Sequence, residues 1–81
     1  MNRNEITANL TTIFCDILDD SSIILTESST ADSIDGWDSL THIMLISEIE
    51  DAFGFKFTMK EIIEMKNVGE MLDIIEKHTG E

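Results

Sequence analysis

The chain has no proline, a single cysteine and only five basic residues among its 81. Without proline, no position is barred from a helix interior by a missing N–H. No stretch alternates apolar and polar residues as a half-buried strand would, so an all-α architecture is expected. One cysteine, Cys15, cannot form an internal disulfide and supplies too few soft ligands for a structural zinc site. Apolar residues never run beyond four in a row, as in Ile43 to Ile46. A bilayer span needs about 20, and a secretory leader needs a basic start followed by a long apolar run. Neither is expected, and the location implied is cytoplasmic.

The shortage of bases has its own consequence. Seventeen acids leave a formal charge of −12, spread along the chain rather than gathered in a tail. Such a surface repels polyanions, which argues against nucleic acid and anionic membranes as partners. A protein with a basic patch would instead be steered toward it. The plainer reading is that the acids only keep a small domain soluble. Self-repulsion among them predicts raised carboxylate pKa values, and hence a fold that gains stability as pH falls from neutral toward about 5.

What is present is helical periodicity. Between Glu5 and Leu18, the residues Ile6, Leu10, Ile13, Phe14, Ile17 and Leu18 share one face of a first helix, with Cys15 well off it. Asp19 to Asp38 reads as a long loop, rich in Ser, Thr and Asp, with Ile23, Ile24, Leu25, Ile34 and Trp37 as candidate anchors. A second helix starts at Asp38 or Ser39, where Asp38 can cap and Gly36 can turn the chain, and stops at Gly54. Its inner arc takes Leu45, Ile46, Ile49, Ala52 and Phe53, with Ile43 at the edge. Its outer side carries Leu40, Met44 and Ser47 alternating with Glu48 and Asp51. That stripe is either packed under the loop or an interaction surface.

Thr58 and Glu61 form the signature of a capping box before a short helix, and Asn67 with Glu70 repeats it. A last helix places Val68, Met71, Leu72 and Ile75 on one face and closes near Gly80. The expected architecture is a small bundle of three main helices plus one short helix, with the long loop between the first and second.

The stretch DGWDSLTHI, residues 35 to 43, is where chemistry would concentrate. Aligning an EF-hand glycine on Gly36 puts Ala31 and His42 where acids are required, so a calcium loop fails and no metal site is expected. Ser39 and His42 lie three apart, as a hydrolytic pair could. There is no glycine-rich oxyanion loop, no third member and too little chain for a cleft, so the protein is not read as an enzyme. His42 is expected as a half-buried residue along the inner side of its helix. Ser39 is better read as an attachment point, because an anion tethered at a helix start would meet free backbone N–H groups and the positive end of the dipole.

GWDSL followed by IMLISEIEDAFGFKF, with the NVGEMLDII close, resembles the acyl carrier protein family, and the likeness covers the whole chain. It implies one carrier domain over residues 1–81, working as a monomer. By this resemblance Ser39 receives covalent 4′-phosphopantetheine from coenzyme A through a phosphopantetheinyl transferase that uses Mg²⁺, and Asp38 assists that attachment. Acyl groups would then travel as thioesters to acyl-activating, acyltransferase or synthase enzymes. The position of Leu40, Met44, Glu48 and Asp51 is similar to that at which such carriers meet basic, partly apolar partner surfaces. Asp35 and Trp37 flank Gly36 where many carriers of fatty acid synthesis have a leucine and a small residue. This points to a specialised carrier for a polyketide, lipid or surface-polymer pathway. Trp37 is then either a loop anchor or a wall that the arm touches. The competing class is an acidic helical interaction module without a prosthetic group.

Overall fold

Side chains set the helix starts. In the computed structural model, which describes residues 2–79, the helices are α1 (Arg3–Leu18), α2 (Ser39–Phe53), α3 (Met59–Glu64) and α4 (Val68–His78). Helix α1 begins two residues earlier than its apolar period suggests. Asn2 Oδ1 accepts from the Glu5 N–H while the Glu5 carboxylate accepts from the Asn2 N–H, a capping box that satisfies two donors. Helix α2 is capped by Asp38 and ends at Gly54, whose φ of +74° is the left-handed conformation glycine adopts without strain. The Thr58 and Glu61 box opens α3. At α4 the repeated device is only half formed. Asn67 accepts from the Glu70 N–H, but the Glu70 carboxylate turns to the Lys66 N–H instead of closing on Asn67. The closure expected near Gly80 lies outside the described residues.

The core is built by α1, α2 and α4. Ile6, Leu10 and Phe14 from α1 meet Leu45, Ile46 and Ile49 from α2 and Val68, Met71, Leu72 and Ile75 from α4, all buried. Each such side chain contributes about 1.5–3 kcal/mol relative to exposure. Ile13, Ile17 and Leu18 pack around its edge. The inner arc of α2 is narrower than its periodicity implies. Ala52 and Ile43 are exposed and Phe53 is half-buried, because α2 packs against α1 and its Ile43 flank borders an open pocket rather than another helix.

The twenty-residue connection is held by four of its five candidate anchors, three of them fully in the core and Ile23 packed against its edge. Leu25, Ile34 and Trp37 are buried and Ile23 is half-buried, whereas Ile24 is 81% exposed and anchors nothing. Backbone pairing adds a second hold. The Ser29 and Glu27 carbonyls accept from the Val68 and Gly69 N–H groups, each at 2.9 Å, satisfying two of the orphan donors at the start of α4. Arg3 clamps the same corner. Its guanidinium donates to Glu27, Asp73 and Glu76 and to the Gly69 carbonyl, so α1, the loop and α4 share one cation. These bonds hold its pKa above the ordinary arginine value, the bond to Glu27 being the largest cause.

Candidate functional site

The site is the junction at which the loop becomes α2. Gly36 turns the chain with φ +88°. Trp37 then enters the core edge-on to Phe14, with ring centroids 5.0 Å apart at 88°, and fixes where α2 begins. Asp38 follows as the cap. Its Oδ1 accepts from the N–H groups of Leu40 at 3.0 Å and Thr41 at 2.9 Å. The Thr41 hydroxyl accepts from the Asp38 N–H at 2.8 Å and donates to the Gly36 carbonyl at 2.7 Å. Asp38 and Thr41 therefore form a reciprocal box in which threonine does what glutamate usually does. The Thr41 N–H, foremost, holds the Asp38 carboxyl below the usual range.

Ser39 is the first residue of α2 and is exposed. The expectation that an anion here would find free amides is corrected in one respect. The amides of Leu40 and Thr41 are already bound by Asp38, so the cap rather than a tethered phosphate satisfies them. All of these bonds converge on Oδ1, which leaves Oδ2 for solvent or a cation.

Beside Ser39 opens a pocket of about 560 Å³. Its lining comes from Trp37, His42 and Ile43 around the start of α2, from Ile62, Ile63, Met65 and Lys66 in and just after α3, and from Thr30, Ala31 and Asp32 of the loop. Trp37 is thus both anchor and wall. His42 is half-buried, as expected, but sits on the pocket wall. Its Nδ1 accepts from the Trp37 indole N–H at 3.2 Å, the rings lying 25° from parallel. Among the described residues His42 makes no hydrogen bond to Ser39, and no three His, Cys, Asp or Glu side chains gather as metal ligands.

The outer stripe of α2 does not pack under the loop. Leu40 is 72% and Met44 45% exposed, and Glu48 and Asp51 are exposed below them. On α3, Met59 and Ile63 are also exposed, at 72% and 70%, and Ile63 lines the pocket. The periodicity of α2 could not reveal them, and a helix of only six residues carries too little pattern to assign a face.

The family model for the phosphopantetheine attachment site matches residues 8–75. The chain belongs to the acyl carrier protein family. Among solved structures it is similar to the holo acyl carrier protein of Geobacter metallireducens, determined in solution by NMR. The two are 42% identical with a TM-score of 0.82, over 88% of this chain and 82% of that one. None of the curated proteins searched matches it.

This acyl carrier protein is a carrier and not an enzyme, and its prosthetic group is covalent 4′-phosphopantetheine. When bound, that group supplies a thiol that holds acyl chains as thioesters. The residues around Ser39 fit such a group. The hydroxyl stands free of side-chain partners among the described residues, the adjoining pocket is open and mostly apolar, and Lys66 among its lining residues adds a cation. No helix among the described residues is long and apolar enough to cross a membrane.

Proposed function

We propose that Ser39 carries the 4′-phosphopantetheine arm and that this carrier delivers acyl thioesters to partner enzymes of a lipid, polyketide or other specialised pathway. The observation that supports this reading best is the placement of Ser39. It is an exposed hydroxyl at the first position of a rigid helix, behind a cap that fixes that helix, and on the rim of an open apolar pocket. Asp38 assists attachment through Oδ2, which its capping bonds leave free for the transferase's Mg²⁺. Residues 1–81 act as one carrier domain, monomeric and cytoplasmic.

Docking falls to Leu40 and Met44 as apolar contacts and to Glu48 and Asp51 as the acidic rim that basic partner surfaces meet. Partners are the phosphopantetheinyl transferase first, then acyl-activating, acyltransferase or synthase enzymes. Holding the acyl group on a tether raises its effective concentration at each docked enzyme without any chemistry by the carrier. Trp37 next to the attachment serine, with Ile34 buried in place of the usual leucine, supports a specialised pathway over housekeeping fatty acid synthesis. The test is intact mass after incubation with a transferase, coenzyme A and Mg²⁺. One phosphopantetheine should be gained by wild type and none by Ser39→Ala; a gain that survives Ser39→Ala would refute the assignment.

A further inference from the structure

The pair formed by Trp37 and His42 is unused by attachment or docking. Indole N–H is a donor only, so its 3.2 Å bond to Nδ1 makes that nitrogen the acceptor and places the imidazole proton on Nε2. Among the described residues nothing pairs with Nε2, and no buried side-chain nitrogen or oxygen lacks a partner. The Nε2–H is therefore an accessible donor of fixed tautomer on a pocket wall. The apolar side chains of Ile62, Ile63 and Met65 line the same pocket.

Ser39 and His42 are three residues apart on one helix, which puts their Cβ atoms about 5–6 Å apart. In a phosphopantetheine arm the groups that follow the phosphodiester within a few bonds are two geminal methyls, a hydroxyl and the first amide carbonyl. The thiol lies much further along. A donor this close to the attachment oxygen is within reach of that hydroxyl or carbonyl.

We propose that His42 is a binding residue for the proximal part of the arm on Ser39, its Nε2–H donating to the hydroxyl or first carbonyl while Ile43 and Ile62 receive the geminal methyls. Trp37 is the positioning residue that fixes the tautomer. The proposal rests on Ser39 as the attachment point. One net hydrogen bond shifts a docked population about two- to tenfold. The contact therefore biases the arm toward the pocket yet releases it when a partner competes.

The experiment uses full-length holo protein, with intact mass recorded first. No loading would sink the attachment reading and is distinguishable from failure of the anchor. On fully loaded protein, the ¹⁵N signal of His42 Nε2 should move between apo and holo forms, and the arm methyls should show cross-relaxation to Ile43 and Ile62. His42→Phe keeps a ring against Trp37 and should weaken those cross-peaks two- to tenfold, while His42→Gln, which restores an acceptor and a donor, should recover them in part. Trp37→Phe should give a mixture of imidazole tautomers. Unchanged methyl cross-peaks in His42→Phe would overturn the proposal. So would identical His42 Nε2 signals in apo and holo wild type, a measurement that needs no variant to fold.

Discussion

Replacing Gly69 with alanine sets two opposed effects against each other. In a helix interior alanine is favoured over glycine by about 0.8–1 kcal/mol, an upper bound at this second residue of α4, so propensity alone says that Gly69→Ala stabilises the helix. The structure says otherwise. A Cβ built on Gly69 lies 2.9 Å from the Glu27 carbonyl oxygen and 3.3 Å from Glu27 Cβ. That carbonyl also accepts from the Gly69 N–H at 2.9 Å. The obstacle is backbone, so no rotamer change relieves it, and the loop must back away from α4. Overpacking of this kind costs about 1–3 kcal/mol, and weakening the two backbone bonds from Val68 and Gly69 adds about 0.5–1.5 kcal/mol for each bond lost. Set against the propensity gain, a net loss of about 1–3 kcal/mol is expected. For a domain of this size that lowers the thermal midpoint by about 4–8 °C per kcal/mol. Melts of wild type and Gly69→Ala by far-UV circular dichroism decide the matter. A variant as stable as wild type, or more so, would show that the loop does not depend on its close approach to α4.

Two further outcomes test the surface and the charge. Reversing Glu48 and Asp51 to Lys should slow loading of Ser39 by the transferase, more at low salt than at high, whereas Met44→Ala should slow it without salt dependence. Equal loading rates at low ionic strength would remove these residues from the interface. Glu61 is held at about pKa 2, against an ordinary 4.5, by the Thr58 N–H first and by His78. A depressed folded value means stability present above 4.5 and lost as pH falls toward about 2. The gap in thermal midpoint between wild type and Glu61→Gln should therefore close over that window, and a constant gap would refute the assignment.

The same direction, at three positions, runs against the expectation that crowded acids would carry raised pKa values. Asp20, Asp38 and Glu61 all shift down, because each accepts local hydrogen bonds that favour the charged form. Charge counting treats carboxylates as free points. Here three of them are turn and helix caps held down by short-range donors, the Ser22 hydroxyl foremost at Asp20 and backbone N–H groups foremost at Asp38 and Glu61. These three carboxylates give no support to a gain in stability between neutral pH and 5.

Local chemistry was legible in the chain itself. The face of α1, the Asp38 cap, the stop at Gly54, the Thr58 box and the inner row of α4 all follow from residues within a few positions of one another, and hydrogen bonds and side-chain periods at that range carry their own signature. So was the place of Ser39 at an exposed helix start, because it follows from its neighbours Asp38 and Leu40. What required the tertiary structure was every contact between distant segments. No pattern announces that Glu27 and Ser29 lend carbonyls to α4, that Arg3 gathers acids from the loop and α4, or that Ile62 and Ile63 of α3 line the Ser39 pocket. Even the burial of Ile43 was undecided until packing placed it. A helical period reports which residues share a face, while exposure depends on what the rest of the chain brings against it, and here α3 leaves that flank open.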